Sequence, residues 1–220
     1  AALGEMAAAA GERGFHYYGV TDHSPRMTIV HGLTPERLRE QRAEIAKVEE
    51  GIPRLKILQG IEVDILEDGS LDLPEAALAS LDLVVASPHL GLRLDRGRMT
   101  ERMLRAVEHP AVGILGHPTG RRPGQRKGAD YDTTSVFSRA AELGVALEID
   151  CDPNRVDLGP ELAAKALRLG CTFAVDSDAH APRDFGYVEL GLWVPELAGI
   201  PQERILNWLP LPDLRRRLRR

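Results

Sequence analysis

Residues 81–89 read LDLVVASPH. A short apolar run, Leu83 to Ala86, breaks at Ser87 and Pro88 and delivers His89. The same grammar recurs along the chain, in GVTDH ending at His23, LQGIEVD with Glu62, GILGHP with His117, ALEID with Glu148 and Asp150, and FAVDSDAH with Asp178 and His180. Between these runs lie segments with helical signals. Residues 1–13 are Ala-rich and end before Gly14, Thr34-Pro35-Glu36 opens a helix through Val48, and further helices are expected near 74–80, 100–107, 133–143 and 160–169. Short, fully apolar strands alternating with helices indicate a parallel sheet with right-handed crossovers. In barrel-type α/β enzymes the carboxyl edge of that sheet carries the active site. Six strands are few for a closed barrel, so the sheet is expected either to be open or to lack a strand.

The chain has 220 residues, 43% of them hydrophobic, enough for one domain with a large core. Residues 1–220 are therefore expected to form a single domain with a helical tail from about 196 to 220. The apolar stretch near the amino end is interrupted by Gly4 and Glu5, unlike a signal peptide or a membrane span, so a soluble, cytoplasmic protein is expected. Two cysteines, Cys151 and Cys171, do not make a disulfide framework and are expected to be free thiols. A net charge of −5 argues against broad nonspecific nucleic-acid binding, although RRPGQRK at 121–127 and LRRRLRR at 214–220 are locally basic.

Imidazole and carboxylate are the donors that hold Zn, Mn or Fe, and a catalytic metal site gathers them from several elements. His23, His89, His117 and His180 all follow apolar runs, whereas His16 and His109 do not. Asp178 and His180 are two residues apart in an extended segment and face the same way, as do Glu62 and Asp64. Glu62 is the natural bridging carboxylate. Arg93, Arg96 and Arg98 follow His89, and Arg121, Arg122, Arg126 and Lys127 follow His117. Guanidinium groups beside metal ligands suit a phosphoester.

The motifs GVTDHS, GIEVDIL, LDLVVASPH, GILGHPTGR, ALEID and SDAH, in this order, resemble a PHP domain, the polymerase and histidinol phosphatase family. The resemblance runs from about Phe15 to Trp193 and is strongest to the carboxyl-terminal PHP domain of bacterial family X DNA polymerases. It implies a distorted seven-stranded (β/α) barrel, TIM-like, binding two or three divalent metals (Zn, Mn or Fe). By resemblance Glu62 bridges two metals, His89 and His117 complete one, Asp178 holds the other, and His23 and His180 share a third.

The family's first strand, with its His-x-His motif, is not found after Ala1, so six strands are expected. Asp176 and Asp150 are extra carboxylates relative to the polymerase branch, which carries a small neutral residue and Asn there. The activity implied is phosphodiester hydrolysis by a metal-bridging hydroxide, as a 3′-5′ exonuclease or DNA-repair domain joined to a polymerase module, with DNA as substrate. His31, Arg93, Arg121 and Arg155 are the candidate substrate contacts. A histidinol-phosphatase-like enzyme and a non-catalytic structural domain are the alternatives.

Overall fold

The computed structural model describes residues 1–28 and 31–218. Six strands, β1 (Tyr17–His23), β2 (Lys56–Asp64), β3 (Leu83–Ser87), β4 (Ile114–Leu115), β5 (Ala146–Asp150) and β6 (Phe173–Asp176), are ordered in the sheet as in the chain. Every neighbouring pair is parallel. Helices α1 (Leu3–Glu12), α2 (Pro35–Gly51), α3 (Glu75–Ala79), α4 (Arg96–Glu108), α5 (Thr133–Leu143) and α6 (Pro160–Arg168) alternate with them. After β6 come α7 (Tyr187–Gly191), α8 (Trp193–Ala198) and α9 (Leu211–Leu218), with 3-10 turns at Pro182–Gly186, Gln202–Arg204 and Leu206–Trp208.

Local chemistry sets most of these boundaries. Thr34 caps α2 by accepting from the Arg37 N–H, with Pro35 at the first helical position. Gly144, at φ 73°, ends α5 in the left-handed conformation that glycine adopts without cost. One expectation was too short: α4 begins at Arg96 and not near Thr100. The Asp95 carboxylate accepts from the Arg98 N–H and so caps the helix a turn earlier. Arg96 and Arg98 consequently sit in the first turn of a helix, not in a loop. The fourth strand is paired only at Ile114–Leu115.

The sheet is curled, with a different core on each face. Its outer face packs under the helices, burying Ile61, Val63, Val84, Leu115, Leu147 and Ile149 with Met103, Phe137 and Ala163. On the inner face Leu58, Val85, Ile114, Ala146 and Ala174, one from each of β2 to β6, meet in a single cluster closed by Leu206, Leu214 and Leu218. Residues from five strands can meet this way only if the sheet wraps around them. The tail is thus no frayed end. α9 plugs the floor of the half-barrel with Leu214 and Leu218, and burying such leucines contributes roughly 1.5–3 kcal/mol each. Arg219 and Arg220, the end of the basic tail, lie outside the described residues.

The outer strands β1 and β6 border one cavity of ≈ 1080 Å³, which opens onto the carboxyl ends of the strands. Along the outer edge of β6, Asn207 acts as a surrogate strand: its Oδ1 accepts from the Val175 N–H at 2.8 Å and its Nδ2 donates to the Val175 carbonyl at 2.7 Å. Tyr17, at the start of β1, donates its hydroxyl to the Leu209 carbonyl at 2.9 Å. Both cysteines are buried free thiols. Among the described residues no helix is long and apolar enough to cross a membrane.

Candidate metal centre

Side chains alternate between the two faces of a strand, so each inner row can be read off the sequence once register is known. The row on β2 runs Leu58, Gly60, Glu62, Asp64, and opposite it stand Val85 and Ser87 on β3, Ile114 and Gly116 at β4, Ala146, Glu148 and Asp150 on β5, and Ala174 and Asp176 on β6. Each row begins apolar at the floor and most become acidic at the top. Gly116 keeps the rows close: a Cβ there would lie 2.2 Å from the Ser87 Oγ. The chain then turns out of β4 into His117, whose backbone N–H donates to the Glu148 carboxylate.

Three imidazoles converge on the Glu62 carboxylate. His117 Nε2 lies 2.8 Å and His89 Nε2 3.1 Å from Oε1, while His23 Nδ1 lies 3.1 Å from Oε2. The His89 ring stands edge-on between the other two, with centroids 5.0 Å from His23 and 4.9 Å from His117. Glu62 and His117 are buried, and among the described residues His23 Nδ1 and His89 Nε2 are buried without a hydrogen-bond partner. Ligand atoms of His23, Glu62 and His89 all lie within 4.8 Å of one another. Buried lone pairs gathered in this way repel unless a cation lies among them. The donor set, nitrogen and carboxylate oxygen, suits Zn, Mn or Fe.

Without a metal, protons take that part. Burial opposes the charge on His89, but the Asp64 and Glu62 carboxylates beside its two nitrogens outweigh it and push the ring up to about 9. Burial likewise opposes ionisation of Glu62, yet His117 and His89 hold it well below the usual carboxylate range. Burial lowers His23.

Asp178, at φ 46°, follows β6 in the left-handed region that Asp tolerates. Its Oδ2 lies 3.3 Å from Arg155 Nε, which is also 3.2 Å from Asp150 Oδ2. His180 is mostly exposed, its ring 6.4 Å from that of His23. The structure therefore gathers His23, Glu62, His89 and His117 tightly, with Asp178 and His180 along one side of the same cavity. Near them lie three more acids, Glu148 and Asp150, which are buried, and Asp176, which is half-buried. Burial and then the neighbouring acids raise Glu148 well above its usual range and Asp150 to about 9, and burial takes Asp176 to about 7.

The four expected substrate contacts fare differently. His31 is exposed on the cavity wall, and its carbonyl accepts from Arg37. Arg93 is exposed in the loop after His89. Arg121 is half-buried and donates to the Val156 carbonyl, within a hairpin in which Arg126 donates to the Gly120 carbonyl through both Nε and Nη2. Those arginines spend their bonds on neutral carbonyls. Arg155 is 6% exposed and committed to two carboxylates, a placement suited to orienting Asp178.

Three supporting residues carried no assigned role in the sequence reading. Asp64 accepts from His89, and its spacing of two from Glu62 was the available signal. Asp157 is buried, and its Oδ2 accepts from the Thr119 N–H at 3.0 Å and the Thr119 hydroxyl at 2.9 Å, which pins the loop carrying His117. Arg102, buried on α4, donates to the Ile65 and Leu90 carbonyls and so ties the ends of β2 and β3 together. An arginine in a charged helix gives no sequence sign of such a role.

No protein-family model matches the chain. It is 34% identical over 216 residues to the DNA polymerase/3'-5' exonuclease PolX of Bacillus subtilis, a match that covers 98% of this chain but only 38% of that protein. It is also 34% identical over 214 residues to a probable phosphatase of Thermoanaerobacter sp., covering 92% of this chain and 82% of the relative. Among solved structures, the histidinol phosphate phosphatase of Lactococcus lactis, complexed with Zn, L-histidinol and phosphate, superimposes with a TM-score of 0.66 at 18% identity, covering 91% of this chain and 88% of that one. A histidinol phosphatase structure from Listeria monocytogenes gives a TM-score of 0.65 at 15% identity, covering 84% and 91%. With parallel strands that deliver His23, Glu62, His89 and His117 to one edge, and relatives that match over nearly its whole length, the chain belongs to the PHP, or polymerase and histidinol phosphatase, family.

Proposed function

We propose that this chain is a metal-dependent phosphoesterase domain that removes nucleotides from DNA 3′ ends, as part of a polypeptide that also carries a polymerase module. The observation that carries the reading is the convergence of three imidazoles on one buried carboxylate. Glu62, His89 and His117 would hold one divalent ion, with Asp178, His23 and His180 available for others. When bound, such ions act as Lewis acids on a phosphoryl oxygen and on water. The chain's own residues supply the rest. Arg155 orients Asp178, Asp157 and Thr119 fix the His117 loop, and the hairpin bearing Arg121 and Arg126 offers cationic charge suited to a phosphodiester backbone. Similarity to PolX over 98% of the chain supports DNA as the substrate.

A second reading, a small-molecule phosphatase, draws support from the probable phosphatase that the chain spans to 82% of its length. One comparison separates the readings. With Mn, the protein is expected to release nucleotides from a 3′-labelled oligonucleotide faster than it hydrolyses a phosphomonoester, and His89→Ala and His117→Ala should each abolish the release. Preference for the monoester favours the second reading, and full DNA cleavage by both variants contradicts the metal centre.

A further inference from the structure

Glu62 and Asp64 leave β2 on the same face, yet they meet His89 at opposite sides of its ring. His89 Nδ1 lies 2.9 Å from Asp64 Oδ1, and His89 Nε2 lies 3.1 Å from Glu62 Oε1. The ring is 7% exposed and Asp64 1%, so no bulk water competes for either nitrogen. Asp64 is itself held in place. Its backbone N–H donates to the Ser24 hydroxyl at 3.0 Å, its carbonyl accepts from the Asp72 N–H at 3.1 Å, and β2 pairs with β3 through Asp64 and Ser87.

A carboxylate accepts only, so in a neutral ring facing it the proton sits on Nδ1 and the lone pair on Nε2. Nε2 is the buried atom that lacks a partner and points at Glu62. The other tautomer would set the Nδ1 lone pair against the Asp64 oxygen and leave Nε2 unable to bind a cation.

We infer that Asp64 is a positioning residue of the metal centre, fixing His89 as the Nδ1–H tautomer so that its Nε2 lone pair is presented beside Glu62. Outer carboxylates of this kind raise the basicity of a ligating histidine, and their loss typically weakens metal binding by about 10–100-fold. Among the described residues His117 has no such partner: its Nδ1 is buried with no hydrogen bond, and its backbone N–H is held by Glu148 instead. The two imidazoles that share Glu62 Oε1 are thus held by different devices, His89 by a carboxylate on its ring and His117 by one on its backbone N–H.

The inference rests on the proposed reading only in that Glu62, His89 and His117 take a metal, and no substrate enters its test. Zn affinity of the full chain would be measured by competition with a chromogenic chelator for the wild type, Asp64→Ala and Asp64→Asn. In parallel, imidazole 15N shifts would be recorded on the Zn-loaded proteins. The wild type should show His89 protonated at Nδ1 and ligated through Nε2. Asp64→Ala should bind Zn at least about tenfold more weakly, and Asp64→Asn, which keeps an acceptor oxygen in the same place, should recover part of the loss. If Asp64→Ala does not fold, Asp64→Asn alone decides, with a reduced affinity and an unchanged tautomer expected. Wild-type affinity in every folded variant, or His89 ligated through Nδ1 in the wild type, overturns the inference. A wild-type chain that binds no Zn would overturn the reading of the metal centre instead.

Discussion

Asp176 stands on the inner row of β6, half-buried, beside Glu148 and two residues before Asp178. Burial lifts its carboxyl from an ordinary 3.8 to about 7. In the unfolded chain this group ionises near pH 4, whereas in the metal-free fold it keeps its proton to about pH 7. Between those values the unfolded state binds fewer protons, so stability falls as pH rises through the window and levels above it. Asp150, raised to about 9, extends the decline. Urea unfolding of the metal-free protein should therefore show stability decreasing from pH 4 to pH 7, and Asp176→Asn should flatten that slope. An equally steep decline in the variant would contradict the placement of Asp176. That Asp176 departs from the family pattern was legible in the sequence, but its partial burial among other acids was not. Burial depends on β5 and β6 curling over the same interior, a long-range fact that no local window contains.

The strands and helices were legible for local reasons. Each strand is a short apolar run closed by Gly, Pro or Asp, and the caps at Thr34 and Gly144 act within four residues of themselves. The misplaced start of α4 is also local: Gly97 and the arginines weaken the apolar period there, while Asp95 supplies a cap stronger than that signal. α9 is the element whose role could not be read. Leu214 and Leu218 are four apart among arginines, which specifies an amphipathic helix but not what it covers. Its partners, Leu58, Val85, Ile114, Ala146 and Ala174, come from five strands. As a plug, α9 should matter to the whole fold. Leu218→Ala is expected to lower unfolding free energy by about 2–5 kcal/mol in urea titration. A loss of under about 1 kcal/mol would show that the helix does not close the floor.

Across the whole molecule, a parallel sheet brings every strand's carboxyl end to one edge, which is why ligands scattered from His23 to His180 could be expected at one site. The structure sharpens this into a tight cluster around Glu62 with a looser side at Asp178 and His180. It also shows the partners of the charged residues: Arg155 lies against Asp150 and Asp178, and Arg121 and Arg126 of the hairpin after His117 donate to carbonyls. These distinctions depend on which partner each guanidinium reaches in three dimensions, so spacing alone could not make them. The central claim is that Glu62, His89 and His117 hold a divalent ion. Anomalous X-ray scattering from crystals of the full chain equilibrated with Mn tests it most directly. A peak in contact with the Glu62 carboxylate and the Nε2 atoms of His89 and His117 is predicted, and it should vanish in Glu62→Ala. Mn bound elsewhere with that cluster empty would contradict it.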